Sequence, residues 1–133
     1  MPPDDCSFSH EKLEVYQEAI SFVVWLSDVL EPVIRPGEVK DQLDRASTSI
    51  PLNIAEGNGK YTPKDRCRFF DTAHGSALEC SAALDCLVAK GKLSPDQTRT
   101  GKQKLQRIVR MLIGLIKRNS TRDYEKVDPP AEP

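Results

Sequence analysis

Ser94-Pro95-Asp96-Gln97-Thr98-Arg99-Thr100-Gly101-Lys102-Gln103-Lys104-Leu105-Gln106-Arg107-Ile108-Val109-Arg110-Met111-Leu112-Ile113-Gly114-Leu115-Ile116-Lys117-Arg118-Asn119 carries the pattern of one long amphipathic helix. Ser94 and Gln97 have the spacing of a capping box, and Pro95 between them suits the first helical position, where no backbone donor is needed. At about 100° per residue, Leu105, Ile108, Val109, Leu112, Ile113, Leu115 and Ile116 share one broad arc. Arg99, Lys104, Arg107, Arg110, Lys117 and Arg118 share the opposite one. So amphipathic a helix requires an apolar partner surface, and the preceding sequence supplies it as further helices.

Thr62-Pro63-Lys64-Asp65 repeats the same start signal, with an acid placed near the positive end of the helix dipole. The helix that follows is expected to run to about Lys90, with Phe69, Phe70, Ala73, Ala77, Leu84, Leu87 and Val88 apolar and Gly91 as its stop. Upstream, a helix from near Glu38 carries Val39, Leu43, Ala46, Ile50, Ile54 and Ala55 inward until Gly57 and Gly59 break it. Pro51 inside it removes a backbone donor and predicts a kink, with neighbouring hydroxyls close by. The first helix is expected from an N-cap at Ser9 to Leu30, with Leu13, Tyr16, Ala19, Ile20, Val23, Leu26 and Leu30 as its stripe. Glu31-Pro32 and Arg35-Pro36-Gly37 end it. Short loops make antiparallel neighbours economical, so the expected class is all-α: an up-down-up-down four-helix bundle over residues 9–119. A flexible N-terminus (1–8) and a disordered acidic, proline-rich tail (120–133) flank it.

Composition agrees with one helical domain: 133 residues, 38% hydrophobic, 29% charged and 6% aromatic. The net charge of -1 hides an asymmetry: ten basic residues face sixteen acidic ones in 1–98, eight face none in 99–122, and one faces four in 123–133. No apolar run reaches the length of a membrane span, and Met1-Pro2-Pro3-Asp4-Asp5 lacks the basic and apolar regions of a signal peptide, so a cytoplasmic protein is expected. Cys6, Cys67, Cys80 and Cys86 form no CxxC pair and read as reduced thiols rather than metal ligands. With only His10 and His74 in the chain, and Asp71 three residues before the latter, no di-iron Glu-x-x-His pair exists. Neither metal nor cofactor is expected.

The run Gln42-Leu43-Asp44-Arg45-Ala46-Ser47-Thr48-Ser49-Ile50-Pro51-Leu52-Asn53-Ile54-Ala55-Glu56-Gly57 resembles the RA..SI..NIAEG motif of the four-helix-bundle family encoded in 23S rRNA intervening sequences. Lys12-Leu13-Glu14-Val15-Tyr16-Gln17-Glu18-Ala19 and Phe69-Phe70-Asp71-Thr72-Ala73-His74-Gly75-Ser76-Ala77-Leu78-Glu79 match it in order and spacing, so the similarity spans roughly Phe8 to Arg118. The family resembles the accessory variability proteins of diversity-generating retroelements. The resemblance thus implies a ring-shaped homo-oligomer, a pentamer, that assists a reverse transcriptase and its RNA. His74 departs from an A-R-G-S string in which this position is arginine.

Three groups of candidate residues follow. Arg45, Ser49, Asn53 and Glu56 on the second helix, with Ser76 and Glu79 on the third, read as a polar seam fixing helix register. The seam has no nucleophile–base pair, so a non-enzymatic protein is expected. The basic face of the last helix, joined by Lys60, Lys64, Arg66 and Arg68, is the candidate surface for RNA or DNA, which a ring would display several times. A protein-binding module with no nucleic acid is the alternative. No aromatic set for stacking bases is interleaved with that face. Val24 and Trp25 sit off the first helix's stripe and are the candidate subunit contact.

Overall fold

The structure, a computed structural model, describes residues 7–32 and 37–120. Most of the expected N-terminal arm and nearly all of the expected acidic tail lie outside the described residues. A short 3-10 turn, Ser9–Lys12, precedes four α-helices: α1 (Glu14–Leu30), α2 (Glu38–Asn58), α3 (Pro63–Ala89) and α4 (Pro95–Asn119). The described residues contain no strand.

The helix ends follow local chemistry. The Asp65 N–H donates to Thr62 Oγ1 at 3.1 Å, and at α4 the Gln97 N–H donates to Ser94 Oγ at 3.1 Å while Gln97 Oε1 accepts from the Ser94 N–H at 2.8 Å. Both caps satisfy donors that a helix start leaves without partners. Gly91 takes φ +73°, the left-handed conformation that closes a helix, and the Lys92 N–H reaches back to the Leu87 carbonyl at 2.9 Å. Ser9 is not the cap of α1. It opens the 3-10 turn, which the Glu11 carboxylate closes by accepting from the Phe8 N–H, and Leu13 is the N-cap residue of α1.

Cross-helix contacts fix the topology. Ser49 meets Ser76, Cys67 meets Ile116 and Lys102 meets Asp85, Arg107 and Lys104 meet Glu18 and Ser21, and Asn58 meets Ser9. Ser49 and Ser76 are both mid-helix, but Gly57 late in α2 lies against Phe70 early in α3 and the other pairings run early-to-late, so every helix is antiparallel to its two neighbours. The four close a square in chain order, without diagonal packing. Phe22, Leu43, Ile50, Ile54, Phe70, Leu84, Ile108 and Leu112 fill its centre, each fully buried. Each such side chain contributes about 1.5–3 kcal/mol of apolar transfer.

Two further sequence expectations need correction. The inward stripe of α1 is Val15, Ala19, Phe22, Leu26 and Leu30, rotated by roughly 60° from the expected one at 100° per residue. Ile20, expected inside, therefore faces out at 40% exposure. Gly57 does not break α2 but lies buried within it. A Cβ there would stand 2.8 Å from the Phe70 ring and 3.1 Å from Phe69 Cβ, so the glycine sets how closely α2 and α3 approach. Around Pro51 the hydroxyls of Ser47 and Thr48 donate to the Asp44 carbonyl, at 3.2 and 2.7 Å. They do not serve the Ser47 carbonyl, whose N–H partner the proline removes.

Candidate nucleic-acid interface

One end of the bundle gathers residues far apart in the chain. The α2–α3 loop, the start of α3, the end of α4 and the 3-10 turn all meet there. Arg66 is the fastener: its Nε donates to the Lys60 carbonyl at 2.7 Å and its NH1 group reaches Asn119 Oδ1 at 3.5 Å. Cys67 Sγ lies 3.6 Å from the Ile116 carbonyl on the same seam. Asn58 Nδ2 donates to Ser9 Oγ at 3.1 Å, which ties the 3-10 turn to the end of α2. Lys60, Lys64, Arg66, Arg68, Lys117 and Arg118 thus converge from three elements.

Lys60 Nζ and the Arg68 guanidinium stand over the Phe69 ring, 5.1 and 5.7 Å from its centroid, an attraction of cation to ring face that holds both charges in place. Arg68 also reaches Asp65 at 3.5 Å, but both side chains are well exposed, so that pair is weak. Lys64 and Arg118 make no ion pair among the described residues.

The remaining candidates do not form one continuous patch. Arg99 and Arg118 are 19 positions apart, about 29 Å along the axis at 1.5 Å per residue. Arg99 pairs with Asp96 at 2.6 Å. Lys104 and Arg107 share the half-buried carboxylate of Glu18, at 3.7 and 2.9 Å, and Lys104 also donates to Ser21 Oγ at 2.6 Å. Arg110 makes no ion pair among the described residues and lines a shallow groove with Glu14, Gln17, Glu18, Arg107 and Met111. Part of the expected basic face therefore sits beside acids of its own bundle, while cations from the loop, α3 and α4 gather at the α2–α3 end. That separation was not legible in the sequence, because Glu18 and Arg107 are 89 positions apart.

The same end supplies the aromatic groups that sequence reading missed. Tyr61 is 97% exposed in the α2–α3 loop and Phe8 is 66% exposed beside the 3-10 turn. Phe8 stacks on His10 at 5.8 Å, and His10 meets Tyr16 edge-on at 4.8 Å. The available signal was Lys60-Tyr61-Thr62-Pro63-Lys64, an aromatic residue between two lysines in a turn.

Half of the expected polar seam forms. Asn53 Nδ2 donates to the Ser49 carbonyl and hydroxyl at 2.8 and 2.9 Å, and Ser76 Oγ donates to Ser49 Oγ at 2.8 Å. Arg45, Glu56 and Glu79 are exposed and stand outside it. Trp25 also departs from expectation. Instead of projecting to solvent it is half-buried against the core, stacked on Phe22 at 5.7 Å and seated over Gly101 of α4. The rotation of α1 is the reason, since it carries Trp25 onto the flank facing α4. Val24, 57% exposed, does face outward. Among the described residues no three His, Cys, Asp or Glu side chains gather as a metal-ligating group. Burial pushes the Cys80 thiol up to about 12, which leaves it a protonated core side chain.

An all-α, antiparallel four-helix bundle with basic side chains from three elements gathered at one end is the class that these observations define. The model of the 23S rRNA-intervening sequence protein family matches residues 11–114, and the chain belongs to that family. Among solved structures it is similar to a protein of unknown function from the S23 ribosomal protein family of Bacteroides thetaiotaomicron, with TM-score 0.70 and 24% identity over 77% of this chain and 98% of that one. At that identity the likeness speaks for the fold. No curated protein sequence matches this chain significantly. No helix among the described residues is long and apolar enough to cross a membrane.

Proposed function

We propose that the chain is a non-enzymatic, homo-oligomeric scaffold that binds RNA or DNA through its basic outer surface, as an accessory factor to a ribonucleoprotein. The observation that carries this reading is the convergence of Lys60, Lys64, Arg66, Arg68, Lys117 and Arg118 on one end, with Arg66 joining the α2–α3 loop to the last turn of α4. Phosphate contacts from such a cluster are additive and release counterions, and a ring would multiply them. The pentamer and a reverse transcriptase partner are what the resemblance described above adds. The exposed apolar side chains Ile20, Val24 and Leu52 give self-association a surface.

The test is retention on immobilised RNA across a salt series. Wild-type protein is expected to bind with an affinity that falls steeply with salt. Lys64→Glu with Arg118→Glu should weaken binding and flatten that slope, whereas reversing Arg99, about 29 Å away along α4, should change little. Salt-insensitive retention, or equal loss from Arg99→Glu, would overturn the assignment. A second reading, a protein-binding module, draws on the internal pairing of Lys102, Lys104 and Arg107; it predicts no RNA retention at all.

A further inference from the structure

We propose that the α2–α3 end of the bundle is a site for unpaired nucleotides, in which Tyr61 and Phe8 stack on bases while Lys60, Lys64, Arg68 and Arg118 hold the flanking phosphates. This deepens the nucleic-acid reading above and rests on it, because it names the strand form that the surface takes.

Tyr61 is the starting point. A tyrosine exposed at 97% stabilises nothing in the core, yet its loop is rigidly built. The Lys60 N–H donates to the Gly57 carbonyl at 3.2 Å, the Lys60 carbonyl accepts from Arg66, and Thr62 caps α3. The ring is therefore presented from a fixed backbone with only its own two torsions to order, which keeps the entropic cost of stacking low.

Phe8 is presented in a comparable way. It continues a short aromatic stack, with His10 beneath it at 17° between ring planes and Tyr16 edge-on below that. Its outer side remains open at 66% exposure. The Ser9–Asn58 bond keeps this stack at the same end as the loop. A planar base would extend it by one layer, and every base has a π face, so the contact is sequence-tolerant.

The cations complete the chemistry. Lys60 and Arg68 are steered by the Phe69 ring without losing their charge to a strong acid pair, and Lys64 and Arg118 make no ion pair among the described residues. Exposed aromatic platforms interleaved with cations are the usual equipment for holding a single strand. Duplex binding would instead favour a long row of available charges, and the row along α4 is interrupted by the pairs with Asp85, Asp96 and Glu18. Bases inside a duplex offer no face for stacking, so the aromatic groups discriminate between the two forms.

The experiment is fluorescence anisotropy with the full chain and two probes: a labelled uridine oligonucleotide of about 12 residues, within the usual range of single-strand sites, and an RNA duplex of equal length. The wild type is expected to prefer the single strand. Tyr61→Ala and Phe8→Ala should each weaken single-strand binding by about tenfold with an unchanged salt slope, and should leave duplex binding unaltered. Lys64→Glu should weaken both and flatten the slope. Both aromatic side chains are mostly outside the core, so thermal unfolding of these variants should match wild type and serves as the folding control. Equal affinity for the two probes, or single-strand binding untouched by Tyr61→Ala, would overturn this site while leaving a general phosphate-binding surface standing. A wild type that binds neither probe, or from which polyglutamate displaces the oligonucleotide at equal charge despite intact aromatics, would remove the underlying reading as well and point to an acidic protein partner.

Discussion

Gly101→Ala should destabilise this protein, although the same change in an open helical position stabilises. A Cβ at Gly101 would collide with the six-membered ring of Trp25, well inside contact distance. The ring is itself confined by Phe22 at 5.7 Å, so it must either be pushed from its seat or force α1 and α4 apart. Overpacking of this kind costs about 1–3 kcal/mol, and replacing a mid-helix glycine returns about 1 kcal/mol through helix propensity. The expected net effect is a loss of roughly 0–2 kcal/mol, near the upper value if the ring cannot adapt. Gly75 has nothing within 4 Å of its added Cβ, so Gly75→Ala should instead gain about 0.5–1 kcal/mol. Urea unfolding followed by circular dichroism reads both. The decisive measurement is the double-mutant cycle with Trp25→Ala: once the ring is gone, Gly101→Ala should become stabilising. A Gly101→Ala penalty of the same size with and without Trp25 would refute the contact as its cause.

Glu18→Gln should cost less than about 1 kcal/mol of stability, as partly exposed ion pairs do. Because Lys104 and Arg107 lie away from the α2–α3 end, it should leave the salt slope of single-strand binding unchanged. Asn53→Ala removes the bonds to Ser49 and should lower stability by about 1 kcal/mol after the propensity gain of alanine, with a matching fall in melting temperature and no change in RNA retention. Among the three described cysteines, only Cys86 should react with iodoacetamide in the native protein, as peptide mass mapping would show, since Cys67 and Cys80 are buried. The Cys80 thiol, raised from 9.0 to about 12, contributes stability that is present below about pH 9 and is lost as pH rises towards 12. In that window the unfolded chain ionises first, so alkaline unfolding should be less steep in Cys80→Ala by up to about 1.4 kcal/mol per pH unit.

What could be read from the sequence was whatever local chemistry controls. The caps at Thr62 and Ser94, the stop at Gly91 and the phase of α4 were all legible, because each depends on residues within a few positions. The phase of α1 was not, since Ile20, Val23 and Val24 surround it with aliphatic residues and several stripes fit equally well. Which one faces inward is settled by the slot that Gly101 opens for Trp25, and a glycine in α4 does not advertise its partner in α1. Gly57 was misjudged for the same reason: its lack of a side chain serves an approach to Phe69 and Phe70, not a break. The candidate surface was half legible. Its cations were countable, but their neutralisation by Glu18 and their company with Tyr61 and Phe8 arise only when the helices fold back on one another.

Arg66 joins a loop laid down midway through the sequence to Asn119, the last residue of the final helix. That single bridge sets a schedule. During synthesis α2 and α3 are available to pair long before α4 emerges, and the antiparallel packing between them is local enough to form early. The basic end is complete, however, only when Lys117 and Arg118 have arrived and Asn119 has met Arg66. On the function proposed above, the full set of contacts is therefore assembled only once the square of helices has closed.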